Sequence, residues 1–295
     1  MPQFGIWVGG EKNIGYIANV ENLHYDPYKE TITALKMDVD RPSTFFGRDD
    51  ELLRLDTLLD EHENVLLLNG IGGIGKTTVA KEYYHRYATK YDSLIWLDYR
   101  ESLFDSFMSK KMQSYFHIIK LAQSAEEAFM GVVKTLSQIE GNNLFVIDNL
   151  ANINDFIKYE RYLPKNWKYL VTSRSNIEEY ETLYLDRLDE ESAKKLFYKY
   201  YKVEKDDETL SRIFQRVAYH TLTIEMIAKS YNKSKEKLSK AYNDLEKLGI
   251  NLCDIEVRVE HNIDAQKEIK HTIEKYLKFI FDTSTLQDKE TLILK

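Results

Sequence analysis

The residues Gly70-Ile71-Gly72-Gly73-Ile74-Gly75-Lys76-Thr77 follow directly on the apolar run Val65–Leu68. This GxxxxGK[ST] spacing constrains the fold more than any other stretch of the chain, because it works only as the turn between a buried strand and a helix. Glycines let backbone N–H groups curl around phosphate oxygens with no side chain in the way, and the helix N-terminus adds partial positive charge. The apolar spacing predicts that helix from Lys76 through Tyr87, with Val79, Ala80, Tyr83 and Tyr87 on its inner face. In such a loop Gly70, Gly72, Gly73, Ile74 and Gly75 form the cradle. Lys76 is the fixed cation for the β- and γ-phosphates, Thr77 offers a hydroxyl to Mg²⁺, and Thr78 continues the loop into the helix.

The flanking pattern agrees. Asp49, Asp50 and Glu51 open an amphipathic helix whose stripe is Leu52, Leu55, Leu58 and Leu59. Short apolar runs then recur at Val65–Leu68, Leu94–Leu97, Leu144–Ile147 and Tyr169–Thr172, with Leu183–Leu185 as a fifth candidate. Continuous apolar strands separated by helical segments predict an α/β fold with a parallel sheet covered on both faces, spanning residues 44–187. After Leu188 the strand signal stops, and Glu190–Lys202, Glu208–Ala218, Leu222–Tyr231 and Lys235–Leu248 read as helices, so residues 188–250 are expected to form a helical domain.

Residues 1–43 differ. Phe4, Ile6 and Val8 alternate before Gly9-Gly10, and Ile14 and Tyr16 after it, which reads as a linker or small hairpin. From Ile269 the spacing of Ile273, Tyr276, Leu277 and Ile280 is helical again. The chain stops at Lys295 without a capping glycine, so residues 251–295 are expected to be the start of a domain in a longer protein.

Composition excludes several classes. Glycine and proline together number only 16 of 295 residues, so long helices and strands dominate. The single cysteine, Cys253, allows no internal disulfide or cysteine-rich zinc site, and the seven histidines show no HxxxH or HExxH spacing. A net charge of −7 argues against a generally basic nucleic-acid coat. Met1–Gly10 shows no basic stretch followed by an apolar one and no apolar run reaches eighteen residues, so neither a secretory signal nor a membrane role is expected and the cytoplasm is the default.

Three further motifs carry chemistry. Leu144-Phe145-Val146-Ile147-Asp148-Asn149 places Asp148 at the carboxyl end of a central strand, on the rim where such sheets bind ligands, in position to hold Mg²⁺. Leu170-Val171-Thr172-Ser173-Arg174 puts Arg174 just past the next strand, where it can reach a γ-phosphate. Phe45-Phe46-Gly47-Arg48 precedes the first helix and can frame a base.

Together these motifs, with Leu94-Ile95-Trp96-Leu97-Asp98 and the segment Ala218–Ala228 in the place of a GLPLA-type motif, resemble the NB-ARC branch of the STAND NTPases over residues 44–295. That branch includes apoptosome ATPases, plant disease-resistance proteins and bacterial relatives. The resemblance implies a P-loop three-layer sandwich, a helical domain and a winged-helix domain that here would be incomplete. It implies a switch that holds ADP at rest, takes up ATP when a sensor is triggered, and self-associates to drive an effector in signalling or defence. Residue by residue, Lys76, Thr77 and Asp148 would handle phosphate and Mg²⁺, Arg174 would sense the γ-phosphate, and Phe46, Gly47, Arg48, Thr221 and Leu222 would line the nucleotide pocket.

The chain departs from that pattern at three points. Asn149 stands where the family has a second acid, and an amide cannot accept a proton from water, which implies slow hydrolysis. Thr221 replaces the GLPLA proline, and the winged-helix histidine has no counterpart. Among the family's bacterial relatives are transcriptional regulators, and Lys194–Lys202 interleaves lysines with aromatics in a way that could meet DNA. An amphipathic helix burying Leu196, Phe197 and Tyr200 accounts for the same residues. A small-molecule phosphotransferase would need an acceptor site and a base, and neither is identifiable.

Overall fold

A computed structural model describes residues 34–61, 65–175 and 179–247. The expected N-terminal hairpin at Phe4–Tyr16 and the expected winged-helix start at 251–295 lie outside the described residues.

Helix α1 (Asp49–Glu61) forms where the leucine stripe predicts it and buries Leu52, Leu55, Leu58 and Leu59. Its first turn carries Asp49, Asp50 and Glu51, which complement the positive end of the helix. Strands β1 (Val65–Asn69), β2 (Ser93–Asp98), β3 (Asn143–Leu150), β4 (Trp167–Ser173) and β5 (Glu181–Tyr184) form one sheet in the order β2-β3-β4-β1-β5, parallel throughout. Successive residues serve opposite faces. Leu66, Leu68, Leu94, Trp96, Leu144, Val146 and Leu170 pack on the side of α1 and helix α2 (Lys76–Arg86). Leu67, Ile95, Leu97, Phe145, Ile147, Tyr169 and Val171 pack on the other side. That second face is covered by α3 (Leu103–Phe107), α4 (Lys110–Tyr115), α5 (Ile118–Leu121), α6 (Ala125–Ser137) and α7 (Ile153–Glu160). Two buried faces explain why the strands read as unbroken apolar runs rather than alternating ones.

Three local features depart from the simple pattern. The stretch ahead of Pro42, read as linker, covers the edge of the sheet: Lys36 forms a parallel bridge with Leu94, and the Met37 N–H donates to the Leu94 carbonyl at 2.9 Å. An edge strand thereby loses part of its open row of backbone groups. Glu82 on α2 is buried and pairs with Arg41 at 2.6 Å, which ties that same stretch to the helix. Beyond Ile147 the β3–β4 register slips so that Leu150 faces Ser173, and Asn149 takes up the slack with φ 61.

The chain then leaves the sheet for α8 (Glu190–Tyr200), α9 (Asp207–Arg216), α10 (Thr221–Ser234) and α11 (Leu238–Lys247). Asp189 and Asp206 cap α8 and α9 by accepting from the N–H groups of Ser192 and Thr209. These four helices share a core that includes Leu196, Phe197, Leu210, Phe214, Ile224, Ile227 and Leu245. In α8 the buried side is Leu196 and Phe197, with Tyr200 half-buried. Lys194 pairs with Glu190 and Lys195 with Glu191, one helical turn earlier. Among the described residues no helix is long and apolar enough to cross a membrane.

Candidate functional site

The loop Gly70–Gly75 leaves β1 at the carboxyl edge of the sheet, and Gly75 is the N-cap of α2. Its anchor is Ile74, which is buried. The Lys76 ammonium folds back over the loop and donates to the carbonyls of Gly70 at 2.7 Å and Ile71 at 3.0 Å. Burial, reinforced by the positive charge of Arg174, pushes Lys76 down to about 7, against the pull of Asp148. Arg174 lies across the loop, with its Cζ 3.6 Å from where a Cβ on Gly72 would stand. Two cationic side chains therefore converge on one glycine-rich turn at a helix N-terminus, a donor set that fits phosphate.

The metal-type pair joins Thr77 at the start of α2 to Asp148 on β3, with β4 lying between β3 and β1. Thr77 Oγ1 donates to both oxygens of Asp148, at 2.9 and 3.1 Å. Thr172 Oγ1 donates to Asp148 Oδ1 at 2.7 Å and accepts from the Asn149 N–H at 2.7 Å. Burial pushes the Asp148 carboxyl above the usual carboxylate range, partly offset by those hydrogen bonds from Thr172 and Thr77. A hydroxyl and a buried carboxylate side by side make a hard-oxygen set that fits Mg²⁺. Asn149 is exposed and held by its backbone rather than its side chain. The motifs identify Thr77, Asp148 and Asn149, but not Thr172, which organises both neighbours; one threonine within an apolar strand carries no distinguishing signal.

The segment Phe46–Arg48 meets α8 at Gly47. Gly47 has φ 60, and a Cβ there would overlap the Ser192 side chain, so glycine is required on both counts. Phe46 packs against the helical core. Arg48 is buried, with its guanidinium donating to Glu51 Oε1 at 2.5 Å and to the carbonyl of Asp186 at 2.5 Å. It borders a small cavity of about 70 Å³ that is also lined by Phe46, Ile74, Thr78, Leu188, Thr221 and Glu225. The Arg48 charge is thus spent on bracing the segment between β5 and α8, while its flank faces the cavity. A larger cavity of about 450 Å³ lies at the opposite end of the sheet, beside Val65, Glu160 and Tyr169, and shares none of these residues.

The N-terminus of α10 closes the loop from behind. His220 lies 2.8 Å from the Gly72 carbonyl through Nε2, the Leu222 N–H donates to the Gly73 carbonyl at 3.1 Å, and Thr221 Oγ1 donates to the Ile74 carbonyl at 3.0 Å. Three successive loop carbonyls are satisfied by three successive residues. Gly73, with φ 80, leaves no room for a Cβ because His220 Cε1 and Leu222 Cβ would lie 2.8 and 2.9 Å away. Burial pushes the His220 imidazole down to about 4; the Gly72 hydrogen bond opposes this, and the charges of Arg187 and Lys76 add to it. Thr221 and Leu222 are motif positions, whereas His220 is not recognisable from sequence, where a lone histidine before a helix reads as an ordinary core residue.

The NB-ARC domain family model matches residues 49–207, more than half of the 295-residue chain. The chain belongs to the NB-ARC family. The matched region of this NB-ARC chain contains the phosphate loop, Asp148 and Arg174, and it ends at the start of α9. Solved structures similar in fold include the Walker-type ATPase PABY2304 of Pyrococcus abyssi, 15% identical over 73% of this chain and 76% of that one, with a TM-score of 0.46. They also include the STAND protein PH0952 from Pyrococcus horikoshii, which has a tetratricopeptide repeat sensor. It is 16% identical over 80% of this chain, with a TM-score of 0.45. The NB-ARC chain spans 40% of the length of PH0952. A third is the Drosophila ORC bound to DNA, 12% identical over 96% of this chain and 87% of that one, with a TM-score of 0.48. No curated protein matches the sequence.

Proposed function

We propose that this NB-ARC chain is an adenine-nucleotide switch that holds ADP at rest and exchanges it for ATP to drive self-association, in signalling or antiphage defence. In this reading residues 44–187 bind nucleotide and 188–250 form a helical domain beside it, with sensor and effector parts as partners. The observation that carries the reading is the docking of α10 on the loop carbonyls of Gly72, Gly73 and Ile74. It makes the helical part and the phosphate loop one mechanical unit.

Lys76, Gly70, Gly72, Gly73, Ile74 and Gly75 hold the phosphates. Phe46, Gly47, Arg48, Thr78, Thr221 and Leu222 border the base and sugar. Thr77 and Asp148 hold Mg²⁺, which when bound supplies positive charge to the phosphate oxygens. Arg174, whose guanidinium lies over Gly72, senses whether a γ-phosphate is present. Asn149 can orient a water but cannot take its proton. General-base assistance is typically worth about 10²–10⁴-fold, so hydrolysis is slow.

Calorimetric titration of the purified chain with Mg-ADP and Mg-ATP tests the reading. Both should bind, and Lys76→Ala should abolish binding while the nucleotide-free variant still unfolds in one cooperative transition. Equal binding by the variant would remove the phosphate loop from the account.

A further inference from the structure

His220 is the N-cap of α10, a place normally taken by Ser, Thr, Asp or Asn. Its surroundings explain the exchange. The Gly72 carbonyl can only accept, so Nε2, at 2.8 Å, carries the ring proton. The Thr223 N–H can only donate, so Nδ1, at 3.3 Å, is bare, and the Thr223 hydroxyl also donates to it at 2.8 Å. The imidazole is therefore neutral in one tautomer, accepting from its own helix on one side and donating to the phosphate loop on the other. A serine or aspartate cap could do the first but not the second.

The bond to Gly72 reaches the cradle through the peptide plane. The Gly72 carbonyl and the Gly73 N–H belong to one peptide unit, and the same holds for Gly73 with Ile74 and for Ile74 with Gly75. A hydrogen bond accepted at the carbonyl fixes that plane and strengthens its N–H as a donor.

We infer that His220 is a positioning residue that couples closure of the helical part to the shape of the phosphate loop, so that the loop keeps its nucleotide only while α10 is docked. This rests on the nucleotide-switch reading above for its consequence, though not for its geometry.

Two variants separate the two jobs. The amide nitrogen or oxygen of Asn falls near the Nδ1 position and can cap the helix without reaching Gly72. That of Gln falls near Nε2 and can reach Gly72 without capping. In the full nucleotide-free chain, His220→Asn should speed hydrogen exchange at the Leu222 N–H about ten-fold, the scale of one lost buried hydrogen bond, and leave Thr223 near wild type. His220→Gln should do the reverse. Release of a fluorescent ADP analogue should follow the loop bond, about ten-fold faster in the Asn variant and within about two-fold of wild type in the Gln variant.

Release that is unchanged in the Asn variant, or faster in Gln than in Asn, would overturn the inference and leave His220 as a helix cap. The wild-type chain gives a check that needs no variant: its imidazole ¹⁵N resonances should report a protonated Nε2 and a bare Nδ1, and the opposite tautomer would refute the coupling. If wild type binds no ADP analogue, the switch reading fails, while the paired Leu222 and Thr223 exchange rates still decide whether His220 holds the loop.

Discussion

Arg48 Nη2 donates to the carbonyl of Asp186 at 2.5 Å, across 138 residues of sequence. The same guanidinium donates to Glu51 in the first turn of α1 and, at 3.4 Å, to the carbonyl of Arg187. The start of the first helix and the segment leading from β5 to α8 are therefore held by one buried cation, on the border of the small cavity that Phe46, Thr78 and Thr221 also line.

Arg48→Ala should destabilise the nucleotide-free chain by about 2–4 kcal/mol, because it strands two backbone carbonyls and a partly exposed carboxylate. Arg48→Lys should lose a large part of that, since a single ammonium cannot serve three acceptors in a fork. Thermal and urea unfolding measure both. A loss under about 0.5 kcal/mol for the alanine variant, the size of an ordinary surface change, would show that the fork is not structural.

Thr172 offers a cleaner separation of metal from phosphate binding. Thr172→Val removes one hydrogen bond from Asp148 and the acceptor of the Asn149 N–H. Nucleotide affinity measured with Mg²⁺ should fall about 10–100-fold, the usual cost of losing an outer-shell partner. Affinity measured in excess EDTA should change little. A parallel loss in both conditions would mean that the valine had disturbed the loop itself.

Acid should loosen the docked helix. His220 is held near 4 in the folded chain against about 6.5 unfolded, so the unfolded state binds more protons between those values. Stability is unaffected by this group above pH 6.5 and falls as the pH drops from 6.5 toward 4. Carboxylates also titrate at the lower end, so the test is a comparison: His220→Gln should have a flatter stability curve across that window than wild type. Superimposable curves would show that His220 titrates normally.

Turnover should be slow. With Asn149 in place of a carboxylate, steady-state phosphate release from Mg-ATP should stay below about 1 s⁻¹, the low end of ordinary enzymes. A faster rate, abolished by Lys76→Ala, would mean that another group takes the proton.

Much of this architecture is legible in the chain. Val65–Leu68, Leu94–Leu97, Leu144–Ile147 and Tyr169–Thr172 all lie within observed strands, because burial on both faces leaves a signal that needs no partner to be recognised. The leucine stripe of α1 and the strand–glycine–helix turn at Gly70–Thr77 are equally local. What escapes are relationships between distant residues. Nothing near Arg48 announces Asp186, nothing near Thr172 announces Asp148, and His220 gains its meaning only from a carbonyl 148 positions earlier. The residues around Lys36 escape for a different reason: they cover an edge through backbone bonds, which leave no pattern in side chains.

The central claim is that the phosphate loop, clamped from behind by α10, holds an adenine nucleotide as the resting state of a switch. The most direct measurement is the nucleotide carried by the gently purified chain, released by acid and identified by chromatography, with Lys76→Ala alongside. The account predicts close to one ADP per chain in wild type and none in the variant. An empty wild-type protein that also fails to take up added Mg-ADP or Mg-ATP would contradict it.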